Sequence, residues 1–356
     1  MKEIACSLAL AAVIAAATLV AQTPANTLSI YFIDVEGGQA TLVVTPARES
    51  LLIDAGYPGD ASLIAPAFGE KPSPTGQARD PQRILAAAKD AGITAIDYML
   101  MTHSHADHAG GILEVSQRLP IKNFVNHIPP TDDAETVVSG TKVMHERFMT
   151  AAAMARRVDP TLGSTLPMKG VDVTFIAAGG TTLARPLPGA GQTNPACSGT
   201  GVAAQEKTEN PFSTAIRLQY GAFRFLDVGD LSGAPLFALT CPMNMIGQAE
   251  VYLIAHHGGN DGSDPSLFAA VKPLVAIFNN GVRKGAQPDT LSTVKKMAID
   301  GWQLHKTSNP GAENNPDDHI ANLDESTGAW IKITARNDGS FIVTNGRTGK
   351  SQAYKR

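Results

Sequence analysis

"MTHSHADHAGG" occupies residues 101–111. It places three histidines and an aspartate within six positions, in a chain that has only nine histidines among 356 residues. The apolar run "IDYMLMT" (96–102) stands before it and "GGILEVSQRL" (110–119) follows. An apolar run between polar loops predicts a buried strand, and the following segment predicts a short helix. In an extended His103-Ser104-His105 segment both imidazoles fall on one side. Asp107 and His108 then sit where the chain turns into the helix and can converge on a second point nearby. Imidazole and carboxylate at this density suit a borderline divalent ion such as zinc.

The segments around this cluster predict a mixed α/β chain. "LSIYFIDV" (28–35), "ATLVVTP" (40–46) and "SLLIDAG" (50–56) predict three consecutive strands joined by turns. A helix follows, with Asp80 as its N-cap, Pro81 at its first position and Gly92 as its stop. "IKNFVNHI" (121–128) predicts a strand, and residues 134–157 a helix that ends near Arg156 and Arg157. Residues 177–211 are turn chemistry without periodicity, which predicts a long loop, either functional or disordered. Beyond it, "STAIRLQYG" (213–221) and "AFRFLDVGD" (222–230) predict a hairpin that ends in Asp-x-Gly, as "LLIDAG" does. "EVYLIAHHGG" (250–259) and "PLVAIFNNG" (273–281) predict further strands, with helices at 264–271 and 288–300. The chain thus divides into two similar halves whose strands end in ionisable residues. "IKITARNDGSFIVTN" (331–345) predicts a closing hairpin.

Composition excludes several classes. The net charge of −4 and the lack of a Lys/Arg-rich stretch disfavour nucleic acid as a partner. Lys2 followed by the apolar run 8–20 predicts a signal peptide over residues 1–25, cleaved between Ala21 and Asn26. The expected location is therefore secreted or periplasmic, with no membrane span in the mature chain, residues 26–356. Cys6 lies in the signal; Cys197 and Cys241 remain, and an oxidising compartment permits them to pair. "GxSxG" is absent. "NGRTGKS" (345–351) contains Gly-Lys-Ser, but Gly346 and Gly349 enclose only two residues, so it predicts a hairpin end and not a phosphate loop.

Two adjacent ions require further ligands. Asp230, in "FLDVGDLS", is placed to bridge them, with Asp227 as its competitor. One of His256 and His257 would complete the second metal, since neighbouring strand residues point opposite ways.

"HSHADH", then a downstream "GD" and "HHG", resembles the metallo-β-lactamase-fold metallohydrolase superfamily. "FIDVEGGQATLVV…SLLIDAG" and "HHGGNDGS" are similar to one branch, the extracytoplasmic domain of ComEC-type competence DNA-uptake proteins. The likeness covers residues 28–281 and leaves a C-terminal extension from about 281. It implies a single domain with a four-layer α/β/β/α sandwich. It implies His103 and His105 as ligands of a first metal and Asp107 and His108 of a second, with Asp230 bridging. It also implies Asp54 as a buttress that orients a ligand. One or two zinc ions, or manganese, are the implied cofactors, with Asp107 and Asp230 as the catalytic pair.

The chain departs from the superfamily pattern where a third histidine for the first metal is expected. "TENPFS" stands there, with Asn210 twenty positions before Asp230. His127 is the spare candidate for that ligand, or else faces the substrate or is structural. His305 is expected to line the cleft, and His145 and His319 to be solvated. The resemblance implies a hydrolase that uses a metal-bound hydroxide on a phosphodiester, in a small molecule or a surface polymer, and the N-terminal segment implies that it is secreted. The alternatives are a β-lactamase or lactonase and a non-catalytic metal-binding module. Residues 177–211 and 281–320 are expected to wall the cleft, with Arg283 and Lys284 near a phosphate.

Overall fold

The computed structural model describes residues 26–61, 77–197 and 206–356. The expected signal segment, its cleavage site and Cys6 lie outside these residues. Strands β1 (Leu28–Phe32), β2 (Thr41–Val44) and β3 (Ser50–Ile53) form an antiparallel meander. Helix α1 (Arg79–Asp90) then carries the chain to β4 (Ile96–Leu100), parallel to β3. Helices α2 (Ala106–Ala109) and α3 (Ile112–Ser116) lead to β5 (Ile121–Val125). Helices α4 (Asp132–Val137) and α5 (Thr141–Ala151) lead to β6 (Arg156–Val158).

The second half opens with β7 (Thr165–Leu166), β8 (Asp172–Ala178) and β9 (Thr181–Thr182). The antiparallel pair β10 (Ala215–Tyr220) and β11 (Phe223–Asp227) follows, as the sequence predicts. After it come α6 (Gly233–Ala238), β12 (Val251–Leu253), α7 (Pro265–Val271), β13 (Val275–Phe278) and α8 (Pro288–Lys296). Strands β14 (Asp300–His305) and β15 (Ile320–Asn322) extend the parallel run. Strands β16 (Ile331–Ala335), β17 (Phe341–Asn345) and β18 (Ser351–Tyr354) return to the first half, where β16 pairs with β1. Residues beyond 281 therefore complete both sheets.

Among the described residues the strands form two nine-stranded sheets. Their facing sides share one core, which includes Ile30, Phe32 and Leu51 from the first sheet and Ile216, Phe225 and Ile277 from the second. The Phe32 and Phe225 rings meet edge to face at 5.6 Å across it. The outer side of the first sheet buries Leu42, Leu52 and Met99 against Ile84 of α1, Val115 of α3 and Phe148 of α5. The outer side of the second buries Tyr252, Ala276 and Phe278 against Phe268 of α7 and Leu291 of α8. The result is the four-layer α/β/β/α sandwich. Central strands covered on both faces must be apolar throughout, which explains runs such as "LSIYF" and "VAIF".

Several local expectations are corrected. Asp80 is not the N-cap of α1; that position is Ala78, and the buried Asp80 carboxylate accepts from the Tyr57 N–H at 2.7 Å and the Arg79 Nε at 2.5 Å. Residues 134–157 are not one helix. Gly140, at φ 93°, divides α4 from α5, and Arg156 and Arg157 lie in β6, which pairs with the open edge of β5. His145 is buried on α5 beside Phe148, not solvated. His319 lies 4.2 Å from the Trp302 ring and 3.3 Å from the Asp300 carboxylate, so it too is largely shielded. Cys197 and Cys241 form a disulfide, and "NGRTGKS" is the turn between β17 and β18. Among the described residues no helix is long and apolar enough to cross a membrane.

The inter-sheet contact supports a direct expectation. Phe225→Ala removes a fully buried ring between the sheets and should cost about 3–5 kcal/mol in urea unfolding, without moving the secondary-structure spectrum.

Candidate metal centre

The cluster sits where parallel strands end. Asp54 follows β3, residues 102–108 follow β4, Asp230 follows β11, and His256 and His257 follow β12. Carboxyl ends of parallel strands leave side chains free to converge, which is where open α/β sheets gather ligands. The buried Asp54 carboxylate accepts from the Thr102 N–H and the Thr102 hydroxyl, each at 2.7 Å, and meets His108 Nδ1 at 2.7 Å. One carboxylate thus fixes the start of the histidine loop and turns His108 Nε2 toward the other ligands.

His108 Nε2 lies 3.2 Å from Asp107 Oδ2, 3.2 Å from Asp230 Oδ1 and 3.2 Å from His257 Nε2. His257 Nε2 lies 3.2 Å from both Asp107 Oδ2 and Asp230 Oδ2. The ligand atoms of these four buried residues all fall within 4.8 Å of one another, a spacing that one divalent cation can span. His103 Nε2 is 3.9 Å from Asp230 Oδ2, and the His103 and His105 rings stand 4.5 Å apart. The Nε2 atoms of His103 and His105 are buried without hydrogen-bond partners among the described residues. Buried polar atoms are rarely left this way, so this donor set fits a cation. Lys284 Nζ contacts Asp107 Oδ2 from the open side.

Charge explains the protonation pattern. Burial by itself would depress His108, but Asp230, Asp107 and Asp54 outweigh it and hold the imidazole well above its usual range. Burial depresses His103, and its neighbours His108 and His105 add to that, so the imidazole stays neutral, as a ligand requires. Burial would raise the Asp107 and Asp230 carboxylates. Lys284 and His108 at Asp107, and the three histidines 108, 257 and 256 at Asp230, instead hold both well below the usual range.

The two candidate histidines after β12 separate, for a reason absent from the expected strand alternation. Strand β12 ends at Leu253, and His256 and His257 occupy consecutive left-handed conformations, φ 51° and 58°. The resulting turn buries His257 in the four-residue group. His256, one-third exposed, lies 3.6 Å from Asp230 and is held by Asp261 at 2.7 Å. Asp227 stays out of the group: its two oxygens accept from Gln39 Nε2, each at 3.1 Å. Burial raises its carboxyl to about 7, the Gly229 N–H and Gln39 opposing and Asp54 adding to the rise.

Glu209 is the functional residue that sequence reasoning passed over. Its buried carboxylate accepts from the Ser104 N–H at 2.7 Å, between His103 and His105, and lies 3.1 Å from His127 Nε2. His127 is therefore taken up by Glu209 and Thr214 and is not presented as a ligand or to a cleft. Asn210, next in the chain, is buried with its Oδ1 unpartnered among the described residues. The signal was the acid beside Asn210 in "TENPFS".

His305 does not line a cleft either. It is fully buried, with Nε2 3.0 Å from Asp34. Asp34 and Glu36 also take Arg83 at 2.8 and 2.7 Å, and Glu36 takes Arg79 at 2.9 Å. Asp34, Glu36 and His305 lie within 4.8 Å of one another, but two guanidiniums already compensate the carboxylates, which makes a poor cation site. The network instead braces the "DVEGGQA" turn, where Glu36 sits at φ 53°. That turn donates the Gln39 N–H to the Asp107 carbonyl at 3.0 Å. A Cβ at Gly38 would fall 2.3 Å from the same oxygen, so only glycine fits.

Two substitutions separate the neighbouring aspartates. Asp230→Asn should lose bound metal by elemental analysis, whereas Asp227→Asn should retain it. A raised carboxyl keeps its proton in the folded chain above about pH 4, where the unfolded chain has lost it, so it erodes stability as pH rises from about 4 to 7. Asp227→Asn should flatten that slope in urea titrations. Glu209→Ala frees the Ser104 N–H and should weaken metal binding about 10–100-fold in competition with a chromogenic chelator.

Residues 33–183 match the family model described as "Metallo-beta-lactamase superfamily". No curated protein matches the chain significantly. Among solved structures, a HARLDQ-motif mutant metallo-beta-lactamase from Cronobacter sakazakii is 19% identical, with a TM-score of 0.32, over 56% of this chain and 60% of that one. Igni18, a metallo hydrolase from Ignicoccus hospitalis, is 14% identical, with a TM-score of 0.40, over 80% of this chain and 96% of that one. CmlA, a diiron beta-hydroxylase from Streptomyces venezuelae, is 14% identical, with a TM-score of 0.39, over 83% and 49%. The family match over residues 33–183, taken with the two facing sheets and their outer helices, shows that this chain has the metallo-β-lactamase sandwich fold.

Proposed function

We propose that the chain is an exported metal-dependent hydrolase that acts on a phosphodiester, in a small molecule or a surface polymer. The observation that carries this reading is the convergence of Asp107, His108, Asp230 and His257 on one point, with His103 and His105 beside it. We assign His103, His105 and Asp230 to a first cation position and Asp107, His108, His257 and Asp230 to a second. A divalent cation, zinc or manganese, supplies Lewis acidity and makes water acidic enough to ionise near neutral pH.

The remaining chemistry belongs to the side chains. Asp107 and Asp230 both present carboxylate oxygens to the same small volume, where they accept hydrogen bonds from the attacking water and orient it. His103, His108 and His257 are fully buried, whereas Lys284 and His256 retain exposed surface, so substrate approaches from their side. An ammonium at that mouth favours an anionic substrate and can follow the charge that builds on a phosphoryl oxygen. The buried Glu209 and Asn210, where the superfamily resemblance leads one to expect imidazole, set this centre apart from β-lactamase-type sites. Export is supported by the N-terminal apolar run and by the Cys197–Cys241 disulfide, which persists in oxidising compartments.

The reading is tested with bis-p-nitrophenyl phosphate and nitrocefin. Diester turnover should appear, vanish with chelator, return with zinc or manganese, and be lost in Asp107→Ala. Lys284→Met should raise KM by about 10–100-fold, the loss of one charge-assisted hydrogen bond. Nitrocefin turnover without diester turnover would replace this proposal with a lactamase-type activity. Bound metal with no activity on either would favour a binding module.

A further inference from the structure

A cavity of about 580 Å³ opens on the outer face of the second sheet, away from the metal centre. Arg224, in its wall, stands near the start of β11, whereas Asp230 follows the end of that strand. The opposite wall is the 188–195 loop, which is firmly fastened. Asn194 donates to the carbonyls of Thr240 and Ser266, Thr193 bridges to Met243, and the Cys197–Cys241 disulfide follows.

Arg217 lies in this cavity for a reason set by strand alternation. Its neighbours Ile216 and Leu218 point into the core between the sheets, so Arg217 points outward. It is only 8% exposed. Its Nη2 donates to Gln219 at 2.9 Å, but its buried Nε has no hydrogen-bond partner among the described residues. No carboxylate of the described residues forms an ion pair with it. Glu250, whose charge acts on Arg217 from outside the cavity lining, is already shared: it holds Arg224 at 3.0 and 2.9 Å and Arg356 at 3.1 Å. Asp172, on the adjacent strand, is exposed and beyond ion-pair reach. Lys272 stands at the rim, and Gln248 accepts from Arg356 through its oxygen, leaving its NH2 to donate.

Cations therefore collect here on a chain whose net charge is −4. A buried guanidinium with no carboxylate in ion-pair contact is unfavourable, and an anionic ligand offsets that penalty. We propose that this cavity binds a small oxyanion-bearing ligand, a phosphate or a carboxylate, anchored by Arg217 with Lys272 and Gln248 at its edge. The guanidinium fork matches two oxygens of either group. The site is independent of the hydrolytic reading above.

Calorimetric titration of the full chain tests it, with inorganic phosphate and malonate as separate probes. Binding of at least one is expected, weakened at least tenfold in Arg217→Met and a few-fold in Lys272→Ala, and retained in Asp230→Asn. Lys272 is exposed, so its variant carries the test if Arg217→Met does not fold. Phosphate binding alone would assign the site to phosphate esters, and malonate binding alone to carboxylates. Absence of binding by both, or affinity unchanged in the Arg217 and Lys272 variants, would overturn the proposal. So would binding lost in Asp230→Asn but kept in Arg217→Met, since that places the anion at the metal centre.

Discussion

Asp107 and Asp230 set the constraint on which the rest of the centre depends. Two buried carboxylates approach the same imidazole nitrogens, and both are held in the charged form. Their mutual repulsion in a poorly solvated volume must be balanced from all sides. Without a cation, the protonated His108 imidazole and the Lys284 ammonium supply that balance; a divalent cation would take the place of the His108 proton. Everything around the cluster serves to keep these groups from relaxing apart. Asp54 grips Thr102 and His108 at the base, Glu209 grips the Ser104 N–H at the side, and the Gln39 N–H holds the Asp107 carbonyl from above.

The fold delivers this arrangement through a repeated change of strand direction. In the first sheet β1, β2 and β3 are antiparallel, and β3 to β6 are parallel. In the second, β8, β10 and β11 are antiparallel, and β11 to β15 are parallel. Asp54 follows the last antiparallel strand of one sheet; Asp227 ends the equivalent strand of the other, and Asp230 follows it. The candidate ligands come from the first two parallel crossovers after that change: Asp230 follows β11, residues 103–108 follow β4, and His256 and His257 follow β12. Packing the two sheets face to face then brings the loops of both halves to one edge.

Much of this was legible in the sequence because it is local. Apolar runs closed by Asp-x-Gly or by histidines gave β3, β4, β11 and β12 with their terminal acids and imidazoles, and Asn-Asp-Gly marked the β16–β17 hairpin. The parts that were not legible depend on distant partners. β6 carries two arginines and has no apolar pattern; it exists because β5 offers an open edge. β15 was missed as a sheet member because its pairing depends on β14, which itself joins the sheet through β13. The choice between His256 and His257 could not follow from strand alternation, because the chain leaves the extended conformation before reaching them.

The polar supports were hardest to read, and they are also where this chain departs most from its resemblance. Glu36 stands in a left-handed position that glycine would occupy without strain. The Glu36 carboxylate joins Arg79 and Arg83, which together with Asp34 and His305 brace the turn under Asp107. "TENPFS" has the same logic. Glu209, one residue from the Asn210 that drew attention, binds the histidine loop through its backbone and engages His127 in the same stroke. In both places an acid is recruited to hold a loop. Such roles leave no spacing signature, because the partner is a backbone N–H or a guanidinium that only the folded chain brings near.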